Sequence, residues 1–186
     1  MGLPSKLKNM NLFVNGNSYF GKAAEVTPAK LARKMEDWRG GGMDTAIKVD
    51  MGGEMIEMEF TMGGLEPKLD KGFGAITHDA HQFRYMGAFQ DDNTGKVRAC
   101  EIVARGRYEE IDRGSAKPGD DTEIKYKLAC SYYKEVVDNE IIVEIDAVNA
   151  VFRVGGVDRL AEIRNAIGVG GGGFDVSIDI VGIISV

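Results

Sequence analysis

Residues 123–134 read EIKYKLACSYYK. Ile124, Tyr126, Leu128, Cys130 and Tyr132 alternate with Lys125, Lys127, Ala129 and Ser131. A period of two places the first set on one side of an extended chain and the lysines on the other, so this stretch reads as a long β-strand with one wet face. A strand of that kind needs a second apolar layer to cover it.

The same period runs outward in both directions. Upstream, Ile56, Met58, Phe60 and Met62 alternate with Glu57, Glu59 and Thr61. Phe83, Tyr85, Gly87 and Phe89 alternate with Arg84, Met86, Ala88 and Gln90, and residues 97–107 form a further run. A turn-rich segment, residues 112–121, carries Gly114, Pro118 and Gly119. Downstream, Asp138-Asn139 separates Val136-Val137 from the apolar run at 141–145, and near the start Asn15-Gly16-Asn17 separates Leu12-Phe13-Val14 from Tyr19-Phe20. Both are hairpin signals. Helix signals are few. Pro67 opens a short segment through Leu69 and Phe73, with Asp70 and Lys71 expected in solvent. Residues 157–167 place Leu160, Ile163 and Ile167 on one helical face, with Asp158 as cap and Gly168 as the left-handed stop.

The chain has 186 residues, 29 acidic against 23 basic, for a net charge of −6, and 44% hydrophobic residues. That composition fits one globular domain with its own core and argues against disorder. The negative balance argues against a general duplex-binding protein, which needs a basic face to displace counterions. No apolar run at the start has the length of a signal-peptide core, and none approaches the ~20 residues of a spanning helix. Cys100 and Cys130 sit inside alternating apolar runs and read as reduced, buried thiols of a cytoplasmic protein, with a disulfide between adjacent strands as the second reading. Glycine is the outlier: 25 residues, against a usual share of ~7%. Four of them, Gly170, Gly171, Gly172 and Gly173, lie in a row. Residues 169–173 therefore read as a flexible linker between a domain of residues 1–168 and an amphipathic strand or tail at 174–186. Phe174, Val176, Ile178 and Ile180 alternate there with Asp175, Ser177 and Asp179, which suits an added strand of the domain's own sheet or of a neighbour's open edge.

Catalytic constellations are not apparent. His78 and His81 stand in HDAH with no third nitrogen or sulfur ligand nearby, too few for a zinc site. Gly40-Gly41-Gly42 lacks both the Lys-Ser/Thr of a phosphate loop and dinucleotide-fold spacing. Ser131 has no nucleophile-elbow frame, and neither cysteine has a base placed beside it in sequence. No enzyme activity, cofactor or metal is expected. Arg84, Tyr85, Arg105, Arg107 and Tyr108 suggest nucleic-acid stacking only until Glu101, Glu109, Glu110 and Asp112 between them are counted.

Six segments resemble, in order, the major tail tube proteins of contractile-tailed bacteriophages and the related inner tubes of R-type pyocins. They are LKNMNLFVNG (7–16), LARKMEDWRGGGM (31–43), RGRYEEIDRG (105–114), EIKYKLACSYYK (123–134), VEIDAVN (143–149) and GVDRLAEIRNAIG (156–168). The resemblance covers residues 1–168 and stops at the linker. It implies a mainly β fold of two packed antiparallel β-sheets, a sandwich or barrel with one or two short flanking helices. It also implies a structural subunit that forms hexameric rings stacked into the inner tube of a contractile tail, a conduit for DNA or other ejected material. The alternative is the tube of a phage-derived injection particle, an R-pyocin or a type VI-like system.

By the same resemblance, Leu7, Asn11, Leu12 and Phe13 belong to an arm touching a neighbour. Trp38, Arg39, Gly40, Gly41, Gly42, Met43 and Asp50 belong to a ring-to-ring contact, and Asp158, Arg159, Glu162 and Arg164 to a helix facing the sheath. Implied partners are further copies of the chain, a sheath protein, and tape-measure and baseplate or initiator proteins. DNA would pass through the lumen without sequence-specific binding, and the subunit would not insert into membranes. The implied location is the virion tail after assembly in the host cytoplasm. Glu57, Glu59 and Glu123 are candidates for an acidic lumen that repels phosphates.

Overall fold

The computed structural model describes residues 3–169. The expectations for residues 170–186 lie outside the described residues. Twelve strands and two short helices follow one another: β1 (Lys6–Val14), β2 (Asn17–Ser18), β3 (Ala23–Thr27), β4 (Arg33–Trp38), β5 (Ile47–Gly53), β6 (Ile56–Met62), α1 (Pro67–Asp70), β7 (His81–Gln90), β8 (Val97–Asp112), β9 (Ile124–Val137), β10 (Glu140–Asp146), β11 (Val151–Val154), β12 (Val157–Asp158) and α2 (Ala161–Ala166). Every pairing is antiparallel.

The spine is the β8–β9 ribbon, in register from Cys100 opposite Val137 to Asp112 opposite Lys125. Along its other edge β9 changes partner. Residues 124–130 pair with β6, and residues 132–137 pair with β10. One end of the ribbon therefore carries the branch β3-β6-β9-β8 and the other the path β12-β11-β10-β9-β8-β7-β1-β2, two facing layers, or sheets, of one continuous ten-stranded network. The ribbon bends between them at register shifts beside Gly106 and Glu110, as bulges bend strands generally. Gly106 is required there: a Cβ would lie 2.3 Å from the Ala129 carbonyl oxygen.

The two sheets pack through the faces that the alternation marks. Met58, Phe60, Met62, Tyr126 and Leu128 on one side meet Leu12, Val14, Phe83, Tyr85 and Ile102 on the other, all buried. Phe60 stacks on Tyr126 with ring centroids 4.8 Å apart, and reaches Phe83 of the other sheet at 6.1 Å. Tyr108 fits edge-on to Phe83 at 5.6 Å. Each large apolar side chain sealed here contributes about 1.5–3 kcal/mol. Both expected hairpins form. Asn15 and Gly16 have φ of 49° and 80°, and Asp138 and Asn139 of 49° and 69°, as the two-residue turn that matches strand twist requires.

Four local expectations are corrected. Thr61 is buried and not on a wet face, unlike Glu59 two residues before it. Asp70 does not face solvent: it ends a helix of only four residues, α1, and its carboxylate receives Tyr126 and Arg113. Phe73 lies beyond that helix and is exposed. The helix expected over residues 157–167 spans only Ala161–Ala166, because Val157 and Asp158 pair with β11 as β12. Asp158 still accepts the Leu160 N–H at 3.1 Å, but from the strand. The stop at Gly168 holds: φ is 74°, and the Val169 N–H returns to the Arg164 carbonyl at 2.9 Å, closing the last turn in the usual left-handed manner.

Candidate assembly interface

Among the described residues, strands β4 and β5 pair only with each other. An isolated two-stranded ribbon is marginal in water, and among the described residues no third strand stabilises this one. Its register places Trp38 opposite Ile47, Glu36 opposite Val49, Asp37 opposite Lys48 and Met35 opposite Asp50. Residues opposite one another share a face, and faces alternate along each strand. One face thus carries Trp38, Ile47, Val49 and Met51 beside the Lys34–Glu36 ion pair. The other carries the ion pairs Arg33–Asp50 at 2.8 Å and Asp37–Lys48 at 3.1 Å. Trp38 is 60% exposed, Met51 54% and Ile47 53%. Side chains of this size stay uncovered in a contiguous row mainly where a partner is to be met.

At the tip, the Gly40–Gly42 run makes a tight turn. Met43 N–H donates to the Gly40 carbonyl at 3.2 Å, Arg39 Nε donates to the Met43 carbonyl at 3.0 Å, and Gly42 has φ of 83°. Asp50 is engaged inside the hairpin, accepting Arg33 and the Gly52 N–H at 2.8 Å. The Gly52 bond and Arg33 hold its carboxyl below the usual value. The expected segment 38–43 is therefore an exposed tip, while Asp50 stiffens the ribbon beneath it. The sequence reading missed Ile47, Val49 and Met51, although their own alternation was the available signal.

The N-terminal arm divides. Leu7 is exposed on β1. Residues 6–11 of β1 pair with β7 on one edge and with no described strand on the other, an open template for another chain. Leu12 corrects the expectation: at 1% exposed it is part of the subunit's own core, because its strand position points between the sheets. Asn11 donates to Ser18 Oγ at 3.0 Å, and Phe13 is half-buried beneath the Arg84 guanidinium.

The C-terminal helix also divides. Arg164 donates to Asp158 and to the Ala150 carbonyl at 2.8 Å, and this bond holds the Asp158 carboxyl down at about 2. Those two charges clip α2 to β12 and β11, leaving Arg159 and Glu162 exposed. Ile163 and Ile167, expected on one helical face with Leu160, are exposed as well. Lys127 lies between Glu57 at 3.1 Å and Glu109 at 3.3 Å, so Glu57 is charge-paired.

The histidines diverge: His78 Nδ1 lies 2.9 Å from Ser131 Oγ, whereas His81 Nε2 donates to the Gly72 carbonyl at 2.9 Å. Among the described residues no group of three or more His, Cys, Asp or Glu is placed to hold a metal ion, and no helix is long and apolar enough to cross a membrane.

A family model described as phage tail tube protein FII matches residues 4–168, which include both sheets, the hairpin and α2. The chain belongs to that family. Over 172 residues it is 43% identical to the tail tube protein of Escherichia phage P2, covering 91% of this chain and all of that one. It is 36% identical over 174 residues to the major tail tube protein of Serratia phage KSP20, covering 92% of this chain and all of that one. A chain from the sheath/tube terminator of the PVC extracellular contractile injection system shares the fold, with a TM-score of 0.55 at 8% identity over 72% of this chain and 96% of that one. This phage tail tube subunit is thus a mainly β, antiparallel protein whose uncovered features are a ribbon, an edge and a helix.

Proposed function

We infer that the chain assembles into rings of six, stacked into the hollow inner tube of a contractile tail, through which DNA passes. The uncovered Trp38–Ile47–Val49–Met51 face carries this reading. Among the described residues the hairpin pairs with no other strand of the subunit, and a second copy supplies one without any new chemistry. Head-to-tail contacts between unlike surfaces close into rings or propagate along an axis, and such obligate contacts bury on the order of 2,000 Å² or more. In this arrangement the hairpin bridges successive rings, the open edge of β1 adds to a neighbour's sheet, and Arg159 and Glu162 of the α2 region face the sheath. Tape-measure and baseplate proteins set the length and the starting point. The subunit acts as a structural part of the virion tail, built in the host cytoplasm, with no enzymatic step.

Negative-stain microscopy of the purified protein should show rings or tubes of uniform bore. The double variant Trp38→Asp, Val49→Asp should stay folded by circular dichroism and remain unassembled. A native protein that stays monomeric at high concentration, with no tubes in producing cells, overturns the reading. Normal tubes from the variant remove the hairpin from it.

A further inference from the structure

A cleft of about 600 Å³ opens where the base of the β4–β5 hairpin approaches β10 and β11. Its walls are largely apolar: Leu31 and Ile56 from the hairpin side, Val143, Ile145 and Phe152 from β10 and β11, and Leu160 just before α2. From Leu160 a trail of exposed apolar side chains, Ile163, Ile167 and Val169, leads to the end of the described chain. Beyond it stand four glycines and then FDVSIDI, residues 174–180, in which Phe174, Val176, Ile178 and Ile180 occupy every second position.

We propose that this cleft is the docking site of the chain's own residues 174–180. The reach suffices. The nine steps from Leu160 to Val169 advance about 13.5 Å at helical rise, and the five steps from Val169 to Phe174 span up to about 17 Å, enough to double back to the cleft. The chemistry agrees: an alternating segment presents one apolar row to an apolar cleft and leaves Asp175, Ser177 and Asp179 to water. The glycine run supplies the reversal. The family match ends at residue 168, so the cleft lies in the shared domain and its occupant in the segment beyond it. Docking is intramolecular and does not depend on tube formation.

Cysteine scanning of the full chain tests this. With Cys100 and Cys130 changed to Ala, Met55→Cys supplies a reactive group at the cleft rim, where Met55 is 80% exposed. Single cysteines are then placed at each position from 175 to 180 and bridged with a short bismaleimide. The expected result is a cross-link within one chain, with high yield at 176, 178 and 180, low yield at 175, 177 and 179, and no change on dilution, because tethering holds the segment at millimolar effective concentration. Cross-links joining two chains and growing with concentration assign the cleft to a neighbouring copy and overturn the proposal. Equal or absent yields at all six positions overturn it too. A second measurement keeps both native cysteines: Val176→Asp with Ile178→Asp should raise binding of an apolar dye, and adding Phe152→Asp should abolish the rise. Unchanged dye binding in the first variant counts against docking.

Discussion

The Tyr126 hydroxyl donates to Asp70 Oδ1 at 2.9 Å, while the second oxygen of the same carboxylate accepts Arg113 at 2.9 Å. Tyr126 is fully buried between the sheets. Burial first, and the bond to Asp70 second, push its hydroxyl well above the usual tyrosine range. One carboxylate thus joins α1, the end of β8 and the core.

Asp70→Ala should therefore destabilise the subunit by about 1–3 kcal/mol, the cost of leaving a buried hydroxyl without its acceptor. Tyr108→Phe should be near neutral or stabilising, since the Tyr108 hydroxyl is buried with no partner. Urea unfolding of unassembled subunits compares the two. Equal losses would refute the distinction.

Leu12 and Leu7 lie five residues apart on β1 and should respond oppositely. Leu12→Ala opens a cavity between the sheets and should cost about 2–5 kcal/mol. Leu7→Ala changes an exposed site and should stay within about 0.5 kcal/mol, with any effect confined to assembly. Thermal denaturation and sedimentation of the same variants separate the two effects.

Gly106→Ala should be among the most damaging single-methyl changes in the chain. The added carbon meets the backbone of Ala129 and Cys130 at 2.3 and 2.9 Å, and backbone cannot swing aside as a side-chain tip does. A loss of at least 1–3 kcal/mol is expected, roughly the cost of an overpacked core, read as reduced soluble yield and a lower melting temperature. Native-like stability would show that the β8 corner can relax.

The clip between Asp158 and Arg164 sets an acid limit for α2. Its folded value of about 2 lies below the ordinary 3.8. The stabilisation is therefore complete above the ordinary value and is lost as pH falls through the folded one. Backbone resonances of residues 161–166 should hold steady down to about pH 4 and shift towards the unfolded positions as pH approaches 2. Asp158→Asn should show the shifted positions at every pH. A helix indifferent to both changes would mean that the clip does not hold it.

Much of this protein was determined by its sequence alone. The period of two at Ile124–Leu128 and Ile56–Met62, and the turn residues at Asn15-Gly16 and Asp138-Asn139, specify strands and hairpins because side-chain direction and left-handed backbone are local properties. The six ordered segments gave the family for the same reason: they are strings of residues. Tertiary structure alone decided which apolar residues are covered. Leu12 and Trp38 are both large and apolar in strands, yet one lies between two sheets and the other is 60% exposed on a ribbon that pairs with no other described strand. Likewise Val157 and Asp158 fit a helical pattern until β11 offers them a strand to pair with. Burial and partner choice depend on what the rest of the chain brings alongside, and no local period encodes that.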